Sequence, residues 1–253
     1  MQRVLISAGA SGIGKVMAVA FLEREDQVAI VDIDPLAVKD FAAQYPHAHC
    51  FCASVTDATQ MNTVFKSLED IWSGVDIVCA NAGIAGPAGP IETLDFAEWQ
   101  RCLAVNLDGA FIVSQWAAKC FKKQASGSLI LTSSSAGIMG YPYRSPYATA
   151  KWGVIGLMKT LAMELGEFNV RVNALCPGAV EGDRMQRVIA KEATARGIEA
   201  AQVEDLYVRG VSLKTWVKPE DIANMALFLT SDAGNKISGQ ALSIDGHTET
   251  LAP

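Results

Sequence analysis

The sequence has few of the residues that mark metal centres, nucleic-acid binding and membrane spans. It contains only three histidines, and no pair among its six cysteines has the spacing of a zinc site. Its 21 Lys and Arg are outnumbered by 27 Asp and Glu, and the net charge of −6 argues against binding to nucleic acid or to an anionic membrane. No apolar run approaches the ~20 residues of a membrane-spanning helix. We therefore expect no metal, no nucleic-acid partner and no membrane partner.

The N-terminus also lacks the pattern of a secretion signal. Residues 1–3 lead directly into the apolar run 4–6, which is too short for the core of a signal peptide and is followed by a glycine-rich turn. Unpaired cysteines fit the same compartment, because small buried thiols are common in cytosolic proteins. The sequence therefore predicts a cytoplasmic protein whose cysteines are reduced and structural.

Short apolar runs alternate with helical patterns along the 253 residues. The runs that we predict as strands are 3–7, 27–31, 48–52, 75–79, 127–132, 170–175 and 240–244. The helical patterns are 13–24, 35–45, 57–73, 96–124, 146–166 and 219–231. This alternation predicts an α/β fold with a doubly wound, seven-stranded parallel sheet and helices on both faces. Because no linker or repeat divides the chain, we expect one domain that spans residues 1–253.

Residues 182–215 interrupt this alternation. These 34 residues separate the strand predicted at 170–175 from the helix predicted at 219–231, and they are charged and helical in pattern. A segment this long inside a compact domain is usually functional, so we predict a helical substrate lid. A small helical flap without a ligand role is the alternative.

A glycine-rich turn joins the first predicted strand to the first predicted helix. It contains Gly9, Ser11, Gly12, Ile13 and Gly14. Glycines at such a turn let backbone N–H groups approach a pyrophosphate, and the helix N-terminus supplies partial positive charge. The turn therefore indicates dinucleotide binding, although a tight turn without a ligand shows the same pattern.

The second predicted strand is followed by Asp32, which lies 18 residues after Gly14. A carboxylate at this place accepts hydrogen bonds from both hydroxyls of an adenosine ribose and repels a 2′-phosphate. The next side chains are Ile33 and Asp34, and the first basic one is Lys39. NAD(H) is therefore the predicted cofactor, in preference to NADP(H).

Tyr147 and Lys151 form the predicted acid–base pair. They lie four residues apart at the start of a predicted helix, so both side chains share one face. Ser145 suits the N-cap of this helix and Pro146 suits its first position. A free tyrosine has a pKa of about 10, and a neighbouring ammonium together with the positive end of a helix lowers that pKa. A tyrosine adjusted in this way is a credible general acid–base, although the same spacing occurs in ordinary helix packing.

Ser134 supplies a hydroxyl in the predicted substrate crevice. The serines at 133–135 directly follow the strand predicted at 127–132, and the carboxyl ends of parallel strands line the ligand crevice. Ser134 can thus donate to a substrate oxygen while Tyr147 exchanges the proton. The helix predicted at 146–166 is apolar on nearly every side, so we expect a neighbouring subunit to cover the face that the sheet does not.

Together with other motifs, these residues resemble the short-chain dehydrogenase/reductase family over nearly the whole chain. The further matches, in family order, are Asn81-Ala82-Gly83, Asn106, Ser134 at 13 residues before Tyr147, Pro177-Gly178, Gly239-Gln240 and Asp245-Gly246. The resemblance implies an NAD-dependent enzyme that acts on a small molecule and forms a homotetramer.

The resemblance also implies a role for each matching residue. Tyr147 would exchange a proton with the substrate oxygen that Ser134 polarises. Lys151 would lower the pKa of Tyr147 and hold the nicotinamide ribose, and Asn106 would anchor a water that relays protons. The implied cofactor-binding residues are Gly9, Ser11, Gly12, Ile13, Gly14, Asp32, Val55, Asn81, Ala82, Gly83, Tyr147, Lys151, Pro177, Gly178 and Val180.

Three positions depart from the family pattern. Ala8 stands where the family has glycine, and its methyl group is expected to require a negative φ and to reshape the turn. Ser54 stands where an acidic residue usually meets the adenine. Residues 179–182 lack the hydroxyl that often holds the carboxamide, so we expect the backbone near Val180 to hold it.

The predicted substrate contacts are Ser134, Tyr141 and Arg144. The aromatic and apolar character of segment 138–144 suits a modest, largely uncharged or cyclic molecule. Arg144 is interpreted as a solvated loop residue, with pairing to an anionic group as the alternative. Glu181, Asp183 and Glu192 are likewise expected to face water rather than a cationic or polyhydroxyl substrate.

The leading hypothesis is an NAD(H)-dependent oxidoreductase that interconverts a small secondary alcohol and its ketone. An NADPH-dependent 3-oxoacyl-type reductase is the alternative enzyme, and Asp32 argues against it. A non-catalytic dinucleotide sensor or scaffold is the alternative from another class. The presence of Ser134, Tyr147 and Lys151 argues against that second alternative.

Overall fold

A seven-stranded parallel sheet forms the centre of the computed structural model, which describes residues 1–250. Its strands are β1 (Arg3–Ser7), β2 (Gln27–Asp32), β3 (His49–Cys52), β4 (Ile77–Ala80), β5 (Gly127–Thr132), β6 (Val170–Pro177) and β7 (Ala241–Ile244). They lie in the order β3-β2-β1-β4-β5-β6-β7, and each neighbouring pair is parallel. The predicted doubly wound sheet is confirmed.

Helices cover both faces of this sheet. Within residues 1–250 they are α1 (Gly12–Glu23), α2 (Pro35–Gln44), α3 (Ala58–Ile71), α4 (Phe96–Leu103), α5 (Gly109–Gln124), α6 (Ser145–Leu165), α7 (Asp183–Arg196), α8 (Ala200–Arg209) and α9 (Pro219–Thr230). One face packs against α1, α2 and α9, and the other packs against α3, α5 and α6. Asp34 and Asp57 accept backbone N–H bonds in the first turns of α2 and α3, which explains where these two helices begin.

The side chains of β1 show why its sequence is apolar without interruption. Val4 and Ile6 lie in the core formed with α1 and α9, whereas Leu5 lies in the core formed with α5 and α6. All three side chains are fully buried. A parallel strand between two helical layers therefore has no solvent face on which a polar residue is favoured.

The strand order reverses between β1 and β4, and this reversal places the site. From β1 the order runs outward to β3, and from β4 it runs outward to β7. In open parallel sheets of this kind, ligands bind outside the carboxyl ends of the strands at the reversal. The glycine-rich turn after β1 and the serines at 133–135 after β5 both lie at this edge.

The helix predicted over 96–124 is wrong in one respect, because it is interrupted. α4 ends at Leu103, a wider π-helical turn covers Ala104–Asp108, and α5 begins at Gly109. Asn106 lies inside this turn and is buried. The π-helical turn therefore directs its polar side chain into the interior of the protein. Such π turns are frequent at functional sites.

α7 and α8 form a helical insert between β6 and α9, which we define as residues 183–209. The insert has a small core of its own, made of Ile189, Ala193 and Val203. The expected helical character of the excursion at 182–215 is therefore present, and the chain from 210 to 218 returns without a helix.

Some apolar side chains of α5 and α6 remain on the surface. Phe111 and Trp152 are each 50% exposed, and Met163 is 85% exposed. An apolar surface of this kind is compatible with contact between subunits. The homotetramer remains a prediction.

The part of the chain that the structure describes holds no helix long and apolar enough to cross a membrane. In the same residues, no group of three or more His, Cys, Asp and Glu side chains is arranged to hold a metal ion. The thiols of all six cysteines are free.

Candidate active site

Ser7 ties the glycine-rich turn to the end of β4. Its Oγ accepts hydrogen bonds from the backbone N–H groups of Asn81 at 2.9 Å and Ala82 at 3.1 Å. The Asn81 side chain also bonds the turn, because its Nδ2 donates to the carbonyl oxygens of Ser7 and Ala8. Its Oδ1 accepts a hydrogen bond from Thr132 at the end of β5. The motif that begins at Asn81 therefore holds three strand ends in register beneath the crevice.

Ala8 contradicts the expectation of a negative φ, because its φ is +50°. The left-handed conformation costs an L-residue roughly 1–2 kcal/mol, and the small alanine side chain adds no further crowding. The Asn81 side chain also bonds the Ala8 carbonyl oxygen and so helps to hold this conformation. The methyl group at Ala8 therefore does not force the turn into an extended shape.

Two glycines of the turn pass too close to other groups to carry a side chain. A Cβ atom at Gly14 would lie 2.0 Å from the carbonyl oxygen of Ala8, and a Cβ atom at Gly9 would lie 2.6 Å from Cγ2 of Ile30. The backbone of the turn is consequently packed against β2 and against its own first residues. This packing is the reason that the sequence needs glycine at both positions.

The N-terminus of α1 is open toward the crevice. Gly12 has a φ of +51°, and a Cβ atom there would meet nothing within 4 Å. Ser11 is the N-cap, and its side chain makes no capping hydrogen bond within residues 1–250. The first N–H groups of α1, at Gly12, Ile13 and Gly14, are therefore free of a side-chain cap, and such a helix end suits a phosphate group.

Asp32 lies at the end of β2, where an adenosine ribose would be bound. Its side chain is 7% exposed, and its two carboxylate oxygens accept the backbone N–H groups of Ala10 at 3.1 Å and Asp34 at 3.2 Å. Nothing in residues 1–250 forms an ion pair with it. The carboxylate is therefore fixed beside the glycine-rich turn without a neutralising cation, and these features fit a nicotinamide dinucleotide.

Val55 and Ser54 lie after β3, on the same edge of the sheet. Val55 is buried, and a Cβ atom at Gly109 would come within 2.7 Å of its Cγ2. The Ser54 hydroxyl is hydrogen-bonded to that of Thr56 at 2.9 Å. Ser54 is thus engaged in its own loop and offers no carboxylate to an adenine.

Tyr147, Ser134 and Lys151 meet above the carboxyl end of β5. Removal of water from the phenol raises the pKa of Tyr147, but the charges of Lys151 and Arg184 and a hydrogen bond from Ser134 outweigh this effect. The pKa of Tyr147 therefore lies below its usual value of 10.0. The Lys151 ammonium is 5.6 Å from the centre of the Tyr147 ring, so the pair is close enough for this electrostatic effect.

Lys151 is buried and firmly held. Only 2% of the residue is exposed, and its Nζ donates to the carbonyl oxygen of Thr132 at 2.9 Å. Its own carbonyl oxygen accepts a hydrogen bond from Ser133. Burial holds the pKa of this ammonium below its usual value, although Tyr147 opposes the shift.

Asn106 is brought to the same centre by the π-helical turn. Its Nδ2 donates to the carbonyl oxygens of Cys102 at 2.9 Å and Ile84 at 3.0 Å, which fixes the orientation of the amide. Its Oδ1 is buried and has no hydrogen-bond partner within residues 1–250. A Cβ atom at Gly83 would lie 2.6 Å from this Oδ1 and 3.3 Å from Nζ of Lys151. Gly83 therefore leaves the space in which the acceptor and the ammonium approach each other.

Ser145 does not have the predicted capping role. It is the first residue of α6, Pro146 is the second, and Arg144 occupies the N-cap position without a capping side chain. The Ser145 hydroxyl is buried without a hydrogen-bond partner among the described residues. The helix starts one residue earlier than expected, and proline remains compatible with its first turn.

Pro177 ends β6, and Gly178 and Val180 follow it at the same edge of the sheet. A Cβ atom at Gly178 would lie 2.7 Å from the Cβ atom of Asp245, so this glycine is needed for close packing. Val180 forms an isolated parallel bridge to Val217, in which the bonds run through the neighbours of Val180. The backbone N–H of Val180 takes no part in this bridge and can serve a ligand such as a carboxamide.

Glu192 contradicts the expectation that it faces water, because it is only 2% exposed. It forms an ion pair with Arg196 at 2.6 Å and accepts hydrogen bonds from the hydroxyls of Tyr207 at 2.6 Å and Tyr141 at 3.3 Å. The hydroxyls of Tyr141 and Tyr207 also lie within hydrogen-bond distance of each other. Glu181 and Asp183 are exposed, as expected.

This group of side chains, Tyr141, Glu192, Arg196 and Tyr207, connects the helical insert to the loop before α6. The four residues line a partly open cleft. Burial raises the pKa of both tyrosines, so their hydroxyls stay protonated near neutral pH. We call this group the insert cluster.

Arg144 is not a solvated loop residue, because only 3% of it is exposed. Its guanidinium lies 5.2 Å from the centre of the Tyr147 ring and 5.3 Å from the centre of the Tyr141 ring. Its Nη2 donates to the carbonyl oxygen of Ala85 at 2.9 Å. The cation is therefore held between the predicted acid–base residue and the insert cluster.

Sequence reasoning did not single out Arg184, Arg196 or Tyr207. Each belongs to the helical insert, whose packing depends on contacts with residues 51 or more positions away. Only the charged helical pattern of residues 182–215 pointed to a functional segment, and it did not distinguish these three from their neighbours.

Comparison with known proteins gives a consistent result. A family model described as enoyl-(acyl carrier protein) reductase matches residues 7–247. The chain is 33% identical over 247 residues to a 3-oxoacyl-(acyl-carrier-protein) reductase of Thermotoga maritima, covering 96% of this chain and 95% of that protein. It is 33% identical over 195 residues to a D-beta-hydroxybutyrate dehydrogenase of Rhizobium meliloti, covering 77% and 75% of the two chains.

Solved structures agree with these sequence relatives. The crystal structure of NAD⁺-bound xylitol dehydrogenase superposes with a TM-score of 0.91 at 25% identity, over 97% of this chain and 98% of that chain. The glycine-rich turn, the open end of α1 and Asp32 fit the nicotinamide dinucleotide that such neighbours bind. With its parallel sheet, its family match and its relatives, the chain belongs to the short-chain dehydrogenase/reductase family of oxidoreductases, which act on small molecules.

Proposed function

We propose that this protein is an NAD(H)-dependent oxidoreductase that interconverts a small secondary alcohol and its ketone. The observation that carries the proposal is the placement of Tyr147, whose ring centre lies 5.6 Å from the buried ammonium of Lys151. Lys151 and a hydrogen bond from Ser134 are among the causes that hold the pKa of Tyr147 below its usual value. A phenol in these surroundings exchanges a proton at neutral pH far more readily than a free tyrosine.

In the direction of reduction, the Tyr147 hydroxyl gives its proton to the carbonyl oxygen of the substrate. The Ser134 hydroxyl donates to the same oxygen and stabilises the negative charge that develops there. A bound nicotinamide supplies the hydride in reduction and accepts it in oxidation. In the direction of oxidation, the Tyr147 phenolate takes the proton of the alcohol, so the same residues serve both directions.

Lys151 and Asn106 support this proton exchange. The Lys151 ammonium stabilises the Tyr147 phenolate and can donate to a ribose hydroxyl. The free Oδ1 of Asn106 and the Lys151 ammonium face the same space near Gly83, which suits a water that passes protons onward. Asn106 therefore acts through this water and does not touch the substrate.

The preference for NAD(H) rests on Asp32. A fixed carboxylate without a neighbouring cation accepts two ribose hydroxyls and repels a 2′-phosphate. The NAD⁺ complex of the xylitol dehydrogenase supports this preference. The 3-oxoacyl reductase relative supports the alternative of an NADPH-dependent 3-oxoacyl-type reductase, which a comparison of NADH with NADPH as donors tests directly.

We further propose that residues 1–253 form one domain in which the helical insert serves as the substrate lid, in a cytoplasmic homotetramer. The insert packs on the loop that carries Arg144 through the insert cluster, so its position controls one side of the crevice. Exposed Trp152 and Met163 on α6 supply apolar surface for a subunit contact.

The experiment is the Tyr147→Phe variant, assayed with NADH and a panel of small ketones. Loss of the proton donor is expected to lower kcat by at least about 1,000-fold, since acid–base catalysis contributes up to ~10⁴. NADH affinity, measured by fluorescence titration, is expected to change less than about threefold, because the ring remains.

A Tyr45→Phe variant is the matched control, since Tyr45 lies at the end of α2, where it contacts Phe41, and not among the predicted site residues. Undiminished turnover by Tyr147→Phe would end the proposal. Tight NADH binding by the wild-type protein without turnover of any ketone or alcohol would favour the non-catalytic sensor instead.

A further inference from the structure

Arg144 carries a buried positive charge that the protein does not neutralise. Its Nε has no hydrogen-bond partner, and it forms no ion pair with any residue in 1–250. Burial of an unpaired charge is costly, and arginine is seldom fully buried without a partner. The carbonyl oxygen of Ala85 and two aromatic rings satisfy only part of this guanidinium.

The carboxylate that could neutralise Arg144 is already occupied. Glu192 is bonded to the far end of the Tyr141 side chain, while the face of the same ring packs against Arg144. Both carboxylate oxygens of Glu192 are used, one by Arg196 and the other by the two tyrosine hydroxyls. The negative charge of Glu192 is therefore neutralised by Arg196 inside the insert cluster, and the positive charge of Arg144 has no partner.

The backbone before α6 is arranged so that Arg144 points inward. Tyr143 has a φ of +63°, an uncommon conformation for a bulky residue, and its carbonyl oxygen accepts the N–H of Gly89. Arg144 follows directly, at the N-cap of the helix that carries Tyr147. Its position relative to the phenol is thus set by a rigid element.

A second cation, on the helical insert, contributes positive charge at the same phenol. Arg184 is exposed in the first turn of α7 and forms no ion pair within residues 1–250. It is close enough to act electrostatically on both Tyr147 and Lys151. Lys151, Arg144 and Arg184 therefore all contribute positive charge at Tyr147, whereas the buried carboxylate of Glu192 is engaged by Arg196 and the two tyrosine hydroxyls.

We propose that the substrate of this enzyme carries an anionic group, of carboxylate, sulfonate or phosphate type, which Arg144 binds beside Tyr147. The proposal rests on the proposed alcohol–ketone chemistry at Tyr147. It replaces the expectation of a largely uncharged substrate. Arginine suits this role because its planar fork of N–H donors matches the oxygens of such groups.

The position of Arg144 limits how far the anionic group of the substrate can be from its reacting carbonyl. The guanidinium carbon of Arg144 lies 5.2 Å from the centre of the Tyr147 ring, so a molecule that binds the guanidinium through an anionic group also has its neighbouring atoms near Tyr147. A short oxo acid, with the ketone and the anionic group separated by one or two carbons, fits this arrangement. A bound anion also offsets the free-energy cost of burying the unpaired Arg144 guanidinium. The site is therefore expected to bind anionic molecules more tightly than neutral ones.

The first test compares two ketones that differ only in charge. Acetoacetate and methyl acetoacetate present the same carbonyl, one beside a carboxylate and the other beside a neutral ester. With NADH, wild-type kcat/KM is expected to favour acetoacetate by about 10- to 100-fold, the worth of a charge-assisted hydrogen bond. In Arg144→Met this ratio is expected to fall to near one, and in Arg144→Lys to an intermediate value.

The matched control is Arg187→Gln, which removes an exposed charge of α7 at a position that forms no ion pair within residues 1–250. Its ratio is expected to equal that of the wild type. An equal or greater preference for the ester in the wild type, or an unchanged ratio in Arg144→Met, would overturn the anion proposal. Turnover of the ester would still support the proposed alcohol–ketone function.

The second test does not depend on turnover. Sodium butanoate, methanesulfonate and inorganic phosphate are titrated against the enzyme–NADH complex, with the fluorescence of bound NADH as the signal. At least one is expected to bind in the wild type and to lose about tenfold or more in affinity in Arg144→Met, and the relative affinities identify the anion type. Equal affinities in the two proteins, or no binding of any of the three, would contradict the proposal even if no ketone is reduced.

Discussion

The side of the crevice that faces the cofactor, here called the cofactor edge, and the side that faces the substrate, here called the substrate edge, are built in different ways. At the cofactor edge, backbone groups and small residues do most of the work: Gly9, Gly14 and the Ser7 hydroxyl bring β1, β2 and β4 together. At the substrate edge, long charged and aromatic side chains from the insert and from the loop before α6 hold each other. The first edge is fixed by close packing and the second by a charge network.

This difference indicates which residues can be substituted at each edge. A backbone turn with atoms closer than a methyl group allows only glycine, whatever the substrate is. In a network of side chains, one residue can be substituted by a different residue that neutralises the same charge. A substitution at one edge is therefore expected to leave the other edge intact.

Gly14→Ala is the strongest test of the cofactor edge. Its Cβ atom would lie 2.0 Å from the Ala8 carbonyl oxygen, so the turn or α1 must move. We expect NADH affinity to fall at least about 100-fold and the free energy of unfolding to fall by about 3 kcal/mol, the range of a severe packing clash. Fluorescence titration and urea denaturation measure the two effects.

Gly166→Ala is the matched control, because a Cβ atom there meets nothing within 4 Å and the backbone is helical. It is expected to leave both quantities within about 0.5 kcal/mol of wild type or to stabilise the protein slightly. If Gly14→Ala bound NADH as tightly as this control, the close approach at the turn would not govern cofactor binding.

Glu192→Ala is the corresponding change at the substrate edge. It leaves Arg196 buried without a partner, and removal of one member of a buried pair costs about 3 kcal/mol. We expect the loss to appear as faster proteolysis within residues 183–209, with NADH affinity nearly unchanged. Limited proteolysis, with cleavage sites assigned by mass spectrometry, checks the location.

Glu204→Ala provides the comparison for this variant, since Glu204 is exposed on α8 and forms no ion pair within residues 1–250. Its proteolysis should match the wild type. If Glu192→Ala lost as much NADH affinity as Gly14→Ala, the cofactor edge and the substrate edge would be coupled.

The two edges also differ in how far the sequence could predict them. Gly14, Asp32, Asn81 and the spacing of Tyr147 to Lys151 are local patterns. Gly14 lies at the start of α1, Asp32 and Asn81 lie at the ends of β2 and β4, and the tyrosine–lysine pair lies at the start of α6. Ala8 was judged wrongly because a φ preference is an average, and hydrogen bonds from Asn81 override it at this turn.

At the substrate edge the decisive contacts join residues far apart in the sequence. Tyr141 reaches Glu192 and Tyr207 across 51 and 66 residues, and no local pattern in the sequence links these positions. Arg144 and Glu192 were expected in water because charged side chains usually are. Their burial follows from packing of the insert on the loop, which depends on the whole fold.

Asp32→Asn sharpens the account of the cofactor edge with a smaller effect. Asparagine keeps the shape but loses the charge and one acceptor for the N–H groups of Ala10 and Asp34. We expect the ratio of kcat/KM for NADH to that for NADPH to fall by about tenfold, because repulsion of the 2′-phosphate is removed. Initial rates with both donors measure the ratio, and Asp40→Asn, exposed on α2, should leave it unchanged.

The pH dependence of alcohol oxidation is the mildest test, and it examines the substrate edge. Oxidation needs the Tyr147 phenolate, so kcat/KM should rise with pH and level off above a midpoint that lies below 10.0, since the surroundings lower this pKa. Arg184 is one of the charges that lower it, and removal of that charge in Arg184→Gln should move the midpoint upward. The shift is expected to be a fraction of a pH unit, because Arg184 is exposed and screened by solvent. Arg187→Gln, one turn further along α7, should leave the midpoint in place, and a downward shift in Arg184→Gln would show that Arg184 does not face the phenol.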